Sequence, residues 1–457
     1  MVFSSLTFLV LFLPFFLLSY HAIPGRFVRA KNLALLACSL FFYAAGEPVW
    51  VTILVFSGLW DYIIGLNIIR YHGKWQSKAL LFLSMCGNLG LLVLFKYGAF
   101  FLSLANIEVI FAPTLPIGIS FYTFQTMSYT LDLYRGEVKP QRDPIAFLSY
   151  VAMFPQLVAG PIIRYADIED RLTDRRVTLK SFSDGVTRFA AGLGKKVILA
   201  NHAGKVAAEL LDVGAAHAST AGVWLGTLMF MFQIYFDFSG YSDMAIGLGK
   251  MIGFDFKENF DRPYISKSIT EFWRRWHISL GSFFRDYVYI PMGGNRKRTV
   301  LNIMVVWFLT GLWHGASVNF ILWGMYFGVI LLIEKFVLRS MLQKVPAVVA
   351  HLYSLLLILF GWLIFYFTDL GMLAAFAARF WGFGGQMTDP HATELFFANL
   401  WILPVFAVFS TTIPARIAER LRNVFPVSEH LVNLALLGSS FALLIGQSFN
   451  PFIYFRF

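Results

Sequence analysis

The chain has 457 residues, 58% of them hydrophobic and only 14% charged, against about 45–50% apolar and about 25% charged in typical soluble chains. So little charge cannot cover a soluble surface of this size, which excludes a soluble globular enzyme, a disordered chain and a collagen-like or disulfide-stapled one. A formal net charge of +11 without any block of five like charges points to basic cytoplasmic loops of an integral membrane protein and not to nucleic acid.

Stretches apolar enough for a spanning helix of about 20 residues begin at the N-terminus, where Phe3–Tyr20 lacks a basic flank and a cleavage site and reads as a retained span. Further candidates follow at roughly 32–48, 49–68, 78–103, 116–134, 145–160, 184–206, 219–250, 300–337, 347–368, 394–412 and 431–449. The expected fold is all-α, polytopic, with about 11 transmembrane helices plus re-entrant or interfacial pieces, in one domain over residues 1–457. The piece at 145–160 is short and ends in Gly160-Pro161, and 300–337 is too long for one span. Cys38 and Cys86 sit in apolar runs and read as buried, inert thiols.

Charge assigns the sides. Arg26, Arg29 and Lys31, then Arg70, Lys74 and Lys78, then Arg135, Lys139 and Arg142 mark basic loops, and the longest basic stretch runs from Lys257 to Arg298. Residues 107–116 and 384–393 carry no Lys or Arg. The positive-inside rule places the basic loops in the cytoplasm and the N-terminus outside.

Polar groups inside a bilayer are costly and mark partners or function. His314, in Gly311-Leu312-Trp313-His314-Gly315-Ala316-Ser317-Val318-Asn319, is the only group between Thr299 and Ile330 able to titrate near neutral pH. An imidazole can take and return a proton there, as general-base catalysis requires. Gly311 and Gly315 leave room for backbone or a thin substrate beside it. A packed histidine bonded to a neighbouring helix is the plainer alternative. Asn319 lies about 140° further round and orients His314 only if the helix breaks.

The second stretch is Ser268-Ile269-Thr270-Glu271 followed by Phe272-Trp273-Arg274-Arg275-Trp276-His277-Ile278-Ser279-Leu280. Ser268 and Glu271 fit a capping box, and Trp273, Trp276, Leu280 and Phe284 line one face of an amphipathic helix at the cytoplasmic interface. His277 either reaches a buried site from below or touches lipid headgroups. The third stretch, Gln233 to Asp243, puts Gln233, Asp237 and Tyr241 on one helical face. Asp237 reads first as structural, holding an arginine or a backbone amide. Trp313, Asn319, Tyr235, Asp237 and Arg274 complete the candidate substrate-binding set around His314 and His277.

Arg296-Lys297-Arg298 could attract a nucleotide-bearing donor but reads best as positive-inside charge. Gly247-Leu248-Gly249-Lys250 lacks the spacing of a phosphate loop. No zinc motif, paired-cysteine motif or nucleophile elbow occurs, so no metal is expected. His21, His72, His202, His217, His351, His391 and His430 fall near segment ends or in loops and read as solvated or interfacial.

Residues 232–245, 272–280 with Phe284-Arg285-Asp286-Tyr287, Leu312-Trp313-His314-Gly315-Ala316 and the terminal Phe452-Ile453-Tyr454-Phe455-Arg456-Phe457 together resemble the signatures of bacterial membrane-bound O-acyltransferases, most closely the alginate O-acetyltransferase branch. The resemblance implies helices ringed around a thin centre with a tunnel crossing the bacterial inner membrane. It matches His314 to the family's essential histidine and His277 to its second polar position. It implies acetyl-CoA as a cytoplasmic donor substrate, no tightly bound cofactor, and a polysaccharide acceptor outside, reached directly or through a periplasmic acetyltransferase partner. A transporter or flippase of a glycan-export complex is the rival reading, and it predicts paired interrupted spans in two halves of the chain, which this sequence lacks. A purely structural subunit is the third.

Overall fold

The computed structural model describes residues 2–107 and 114–446, and among them every regular element is helical. The terminal Phe452–Phe457 signature lies outside the described residues. Two compact units emerge, Met1–Ala190 with Tyr241–Lys257, and Ala191–Gly240 with Glu258–Phe457.

The first unit is built from α1 (Thr7–Ala22), α2 (Val28–Ala44), α3 (Val51–Arg70), α4 (Trp75–Leu104), α5 (Ile119–Arg135), α6 (Pro144–Ala152) and α7 (Tyr165–Thr173). One cluster of its buried polar groups is satisfied within the helices. The Asp61 carboxylate of α3 accepts from Ser84 and Asn88 of α4, each at 2.6 Å, and Thr126 of α5 donates to Asn88 at 3.1 Å. Without water, each such group needs a protein partner. The short 145–160 piece is interrupted, because α6 ends at Ala152 and a separate helical turn occupies Phe154–Leu157.

Two long helices, α8 over 179–211 and α9 (Thr220–Ile252), pass from one unit's residues into the other's. The second unit continues with α10 (Ile269–Arg275), α11 (Ile278–Phe284), α12 (Thr299–His314), α13 (Val318–Leu342), α14 (Ala347–Tyr366), α15 (Leu370–Phe380), α16 (Pro390–Asn399), α17 (Leu403–Phe409), α18 (Ile413–Val424) and α19 (Ser428–Gly446). Six of the described helices are long and apolar enough to cross a membrane, or seven if the pair α16–α17, bent by 57°, is one span. That is below the expected 11. Several apolar runs fold instead as shorter helices, among them α1, α12 and α15.

The overlong 300–337 segment is a helical hairpin, α12 turning at Gly315–Ser317 into α13. Its two arms touch backbone to backbone. A Cβ on Gly311 would lie 2.3 Å from the Phe320 carbonyl oxygen, and one on Gly324 would lie 2.2 Å from that of Trp307. Glycine is the only residue that fits either contact.

Two expectations are corrected. Cys38 is half-buried and Cys86 is exposed, because the outward faces of spanning helices are apolar and meet lipid. His202 is neither in a loop nor near a helix end; it sits within α8 with its Nε2 2.7 Å from Asn399 Oδ1.

Candidate active site

The expected amphipathic helix over 268–284 is two helices. Half of the capping box forms as read, with Ser268 Oγ accepting from the Glu271 N–H at 3.0 Å, while the Glu271 carboxylate accepts from the Lys267 N–H at 3.0 Å, one residue earlier than a capping box has it. A residue unforeseen from sequence adds to it: the buried Glu334 carboxylate of α13 accepts from the Ile269 and Thr270 N–H groups at 2.7 and 2.8 Å. A carboxylate on these orphan donors stabilises the start of α10. It also pins that start to the end of the α12–α13 hairpin where Lys335 and Arg339 lie. Its one sequence signal was a lone acid inside an apolar run.

From there α10 runs inward along the hairpin. Trp273 meets Trp307 at 4.6 Å and Trp323 at 5.4 Å between ring centroids. The helix then breaks at His277, whose backbone is left-handed at φ 45°, ψ 53°. That conformation costs a non-glycine residue roughly 1–2 kcal/mol. The break turns His277 inward, where it is 2% exposed and in no lipid-facing position. Its ring lies 4.7 Å from Phe238, perpendicular to it, and 5.5 Å from Trp313. Nδ1 lies 3.2 Å from Asn259 Oδ1, while Nε2 is buried with no partner among the described residues. Leaving a buried acceptor unmade costs about 1–3 kcal/mol. His277 lies between two seven-residue helices, outside any spanning helix, and burial pushes its pKa down to about 3, so the ring is neutral.

His314 ends α12 at the hairpin tip. Its ring is half-buried, 5.0 Å from Trp313, 4.9 Å from Trp323 and 5.2 Å from Phe365 of α14, perpendicular to each within about 10°. The two imidazoles therefore flank one indole, Trp313. The glycines beside His314 serve the hairpin: Gly311 admits the α13 backbone, and a Cβ on Gly315 would lie 2.3 Å from the Phe320 ring. Beyond Phe365 and Phe320 opens a cavity of about 330 Å³, whose rim carries Asp212, Tyr366 and Asp369. The Tyr366 hydroxyl donates to Asp212 at 2.6 Å.

The remaining candidates divide. Trp313 stands between the histidines. The helix does break before Asn319, but its amide nitrogen faces the Ile364 and Phe365 carbonyls at 3.4 and 3.3 Å, so it steadies the segment that packs on His314. Tyr235 is buried among Tyr264 at 5.1 Å and Trp276 at 6.3 Å. Asp237 pairs with Lys196 at 2.9 Å, both nearly inaccessible, and Lys196 also donates to Asn201 at 2.9 Å. The structural reading of Asp237 is the better one, with a lysine where an arginine or amide was expected. Lys196 was missed, although an ammonium within an apolar helix is itself a signal. Arg274 is exposed, while Arg275 is tied to Glu271 and Asp261 at 3.0 and 2.8 Å. No cluster of metal-ligating side chains occurs among the described residues.

The profile of the membrane-bound O-acyltransferase family matches residues 125–381, which hold both histidines. The chain belongs to this family. It is 38% identical over the whole of both chains to a probable alginate O-acetylase AlgI of Pseudomonas putida. It is 32% identical to a peptidoglycan O-acetyltransferase of Helicobacter pylori, over 80% of this chain and 77% of that one. A teichoic acid D-alanyltransferase of Bacillus subtilis is 30% identical over 48% of this chain and 59% of its own. Family membership makes the chain a multi-pass membrane acyltransferase and sets aside the transporter.

Proposed function

We propose that this acyltransferase moves an acetyl group from cytoplasmic acetyl-CoA to a polysaccharide outside the inner membrane, alginate being the acceptor that the names of two full-length relatives suggest. The observation that carries the reading is a half-buried imidazole, His314, at the tip of a helical hairpin and one aromatic ring away from an open cavity. The hairpin begins and ends at basic residues, Arg296–Arg298 and Lys335–Arg339, which suit the phosphates of CoA, as does the exposed Arg274. The cavity carries carboxylates and a phenol, acceptors and donors for hydroxyl-rich ligands.

His314 takes the proton from an acceptor hydroxyl. The oxygen attacks the thioester carbonyl carbon, the C–S bond breaks, and the proton leaves with CoA as its thiol. The aromatic wall around His314 keeps water from competing for the acetyl group. His277 orients a reactant. The hydroxyl belongs either to the glycan or to a periplasmic acetyltransferase that relays the acetyl group. No cofactor has to stay bound.

His314→Ala tests this. General-base loss typically lowers rate by about 100-fold to 10,000-fold, so acetyl esters on the exported polysaccharide should vanish while the variant inserts in the membrane at normal abundance. Undiminished acetylation would remove His314 from the chemistry. His277→Ala should lower acetylation by a smaller factor.

A further inference from the structure

We infer that Asn259 is a positioning residue that fixes the ring tautomer of His277, so that His277 meets the reactants through a bare Nε2 lone pair and accepts from a hydroxyl of the acceptor other than the one His314 deprotonates, instead of donating to the donor carbonyl. This rests on the reading that His277 takes part in acyl transfer.

The amide orientation follows from a donor that admits no ambiguity. The backbone N–H of Ser279 lies 3.1 Å from the Asn259 side chain, so the atom it meets must be the oxygen. The Ser279 hydroxyl donates to the same Oδ1 at 2.8 Å, and the Ile278 N–H donates to the Asn259 backbone oxygen at 2.9 Å. Two consecutive amides of the α11 start thus hold Asn259 in place, and the left-handed backbone of His277 sets them up to do so. His277 Nδ1 is 3.2 Å from that same oxygen. An amide oxygen only accepts, so Nδ1 carries the hydrogen. Ser279 Oγ is also 3.4 Å from Nδ1, but its hydrogen is directed to Oδ1.

Nε2 then carries no proton unless the ring is charged. A charged ring would place an N–H at Nε2 with no partner among the described residues, between Phe238 and Trp313. Burial without a partner disfavours that form. A lone pair can accept from a hydroxyl or a thiol but cannot donate to a carbonyl oxygen. Of the two reactants, the thioester carbonyl offers only acceptors and the acceptor alcohol offers O–H. The reacting O–H points its one hydrogen at His314, so His277 grips a neighbouring hydroxyl of the acceptor; at metal-bound histidines the partner of the far ring nitrogen is worth about 10–100-fold in activity, and an effect of that order is expected here.

The test uses full-length protein labelled with 15N-histidine in lipid nanodiscs, with His277→Gln to assign the ring signals. Wild-type protein should show His277 with hydrogen on Nδ1 and a bare Nε2. Asn259→Leu, which cannot accept, should move the ring to the other tautomer or to a mixture. The same variant should lower kcat for CoA release from acetyl-CoA about 10-fold to 100-fold, with KM for acetyl-CoA unchanged. Asn259→Asp, which keeps the acceptor, should retain the wild-type tautomer and covers the case in which Asn259→Leu fails to fold. Hydrogen on Nε2 in the wild type, or a tautomer indifferent to Asn259→Leu, would overturn the proposal. Full activity of His277→Gln would instead sink the role of His277 while leaving the tautomer assignment standing.

Discussion

The ion pair between Lys196 and Asp237 has almost no water to fall back on, with side chains 3% and 1% exposed. Removing one partner of such a pair strands the other charge and typically costs about 3–5 kcal/mol, whereas replacing both by apolar residues is often neutral. Asp237→Ala should therefore lower the unfolding midpoint in detergent sharply, and Lys196→Met combined with Asp237→Leu should restore most of it. If the single variant unfolds like the parent, the pair holds nothing together. The residue scale is also where sequence reads best. His314 and His277 stood out because an imidazole in an uncharged apolar stretch needs a reason to be there. Asp237 stood out for the same reason, yet its partner did not, since Lys196 adjoins Lys195 and blends into ordinary basic charge. Asn259 was invisible. It lies in a loop between Glu258 and Phe260, and only the fold brings its amide beside the ring of His277.

The elements carry a different lesson. Hydropathy marked 300–337 as overlong but not where it turns, because Gly315-Ala316-Ser317 is no more polar than its flanks. It also ran one helix across 268–284, since the apolar face continues in register through Trp276 to Leu280; the break at His277 comes from the tertiary contacts of Asn259 with the next two amides. Of the two readings of the hairpin glycines, room for backbone or for a thin substrate, the contacts bear out the first, since Gly311 admits the α13 backbone. That gives a contrast to measure. Gly311→Ala and Gly324→Ala put a Cβ against backbone oxygen, which no rotamer change relieves, and overpacking of this sort costs about 1–3 kcal/mol. Gly90→Ala in α4 meets nothing within 4 Å and should stabilise by roughly 0.5–1 kcal/mol through helix propensity. Thermal unfolding of the three variants should therefore shift in opposite directions, and acyl transfer should fall with the first two only. A common sign for all three would mean that the hairpin contact does not set stability.

At the scale of the whole chain the question is sidedness, and the second unit frames it. Its hairpin begins and ends at basic residues, Arg296–Arg298 and Lys335–Arg339, while the tip carries His314 toward a cavity rimmed by Asp212, Tyr366 and Asp369. With 16 residues, α12 is about 24 Å long at about 1.5 Å per residue, shorter than a hydrocarbon core of about 30 Å. Under the proposed function, an imidazole at the end of so short an arm would stop inside the membrane, and the two reactants would meet there from opposite sides without the charged donor crossing. Composition and the Lys/Arg pattern made the membrane and its basic face legible; the cavity was not, since its walls come from residues 212 to 372, far apart in sequence. Single cysteines test the arrangement in a background with Cys38 and Cys86 replaced by serine. Arg296→Cys and Thr368→Cys are both at exposed positions. A membrane-impermeant maleimide should label Thr368→Cys in intact spheroplasts and Arg296→Cys only in inverted vesicles. Labelling of both from the same side would place the two mouths in one compartment, and transfer across the bilayer by this site would be lost as an explanation.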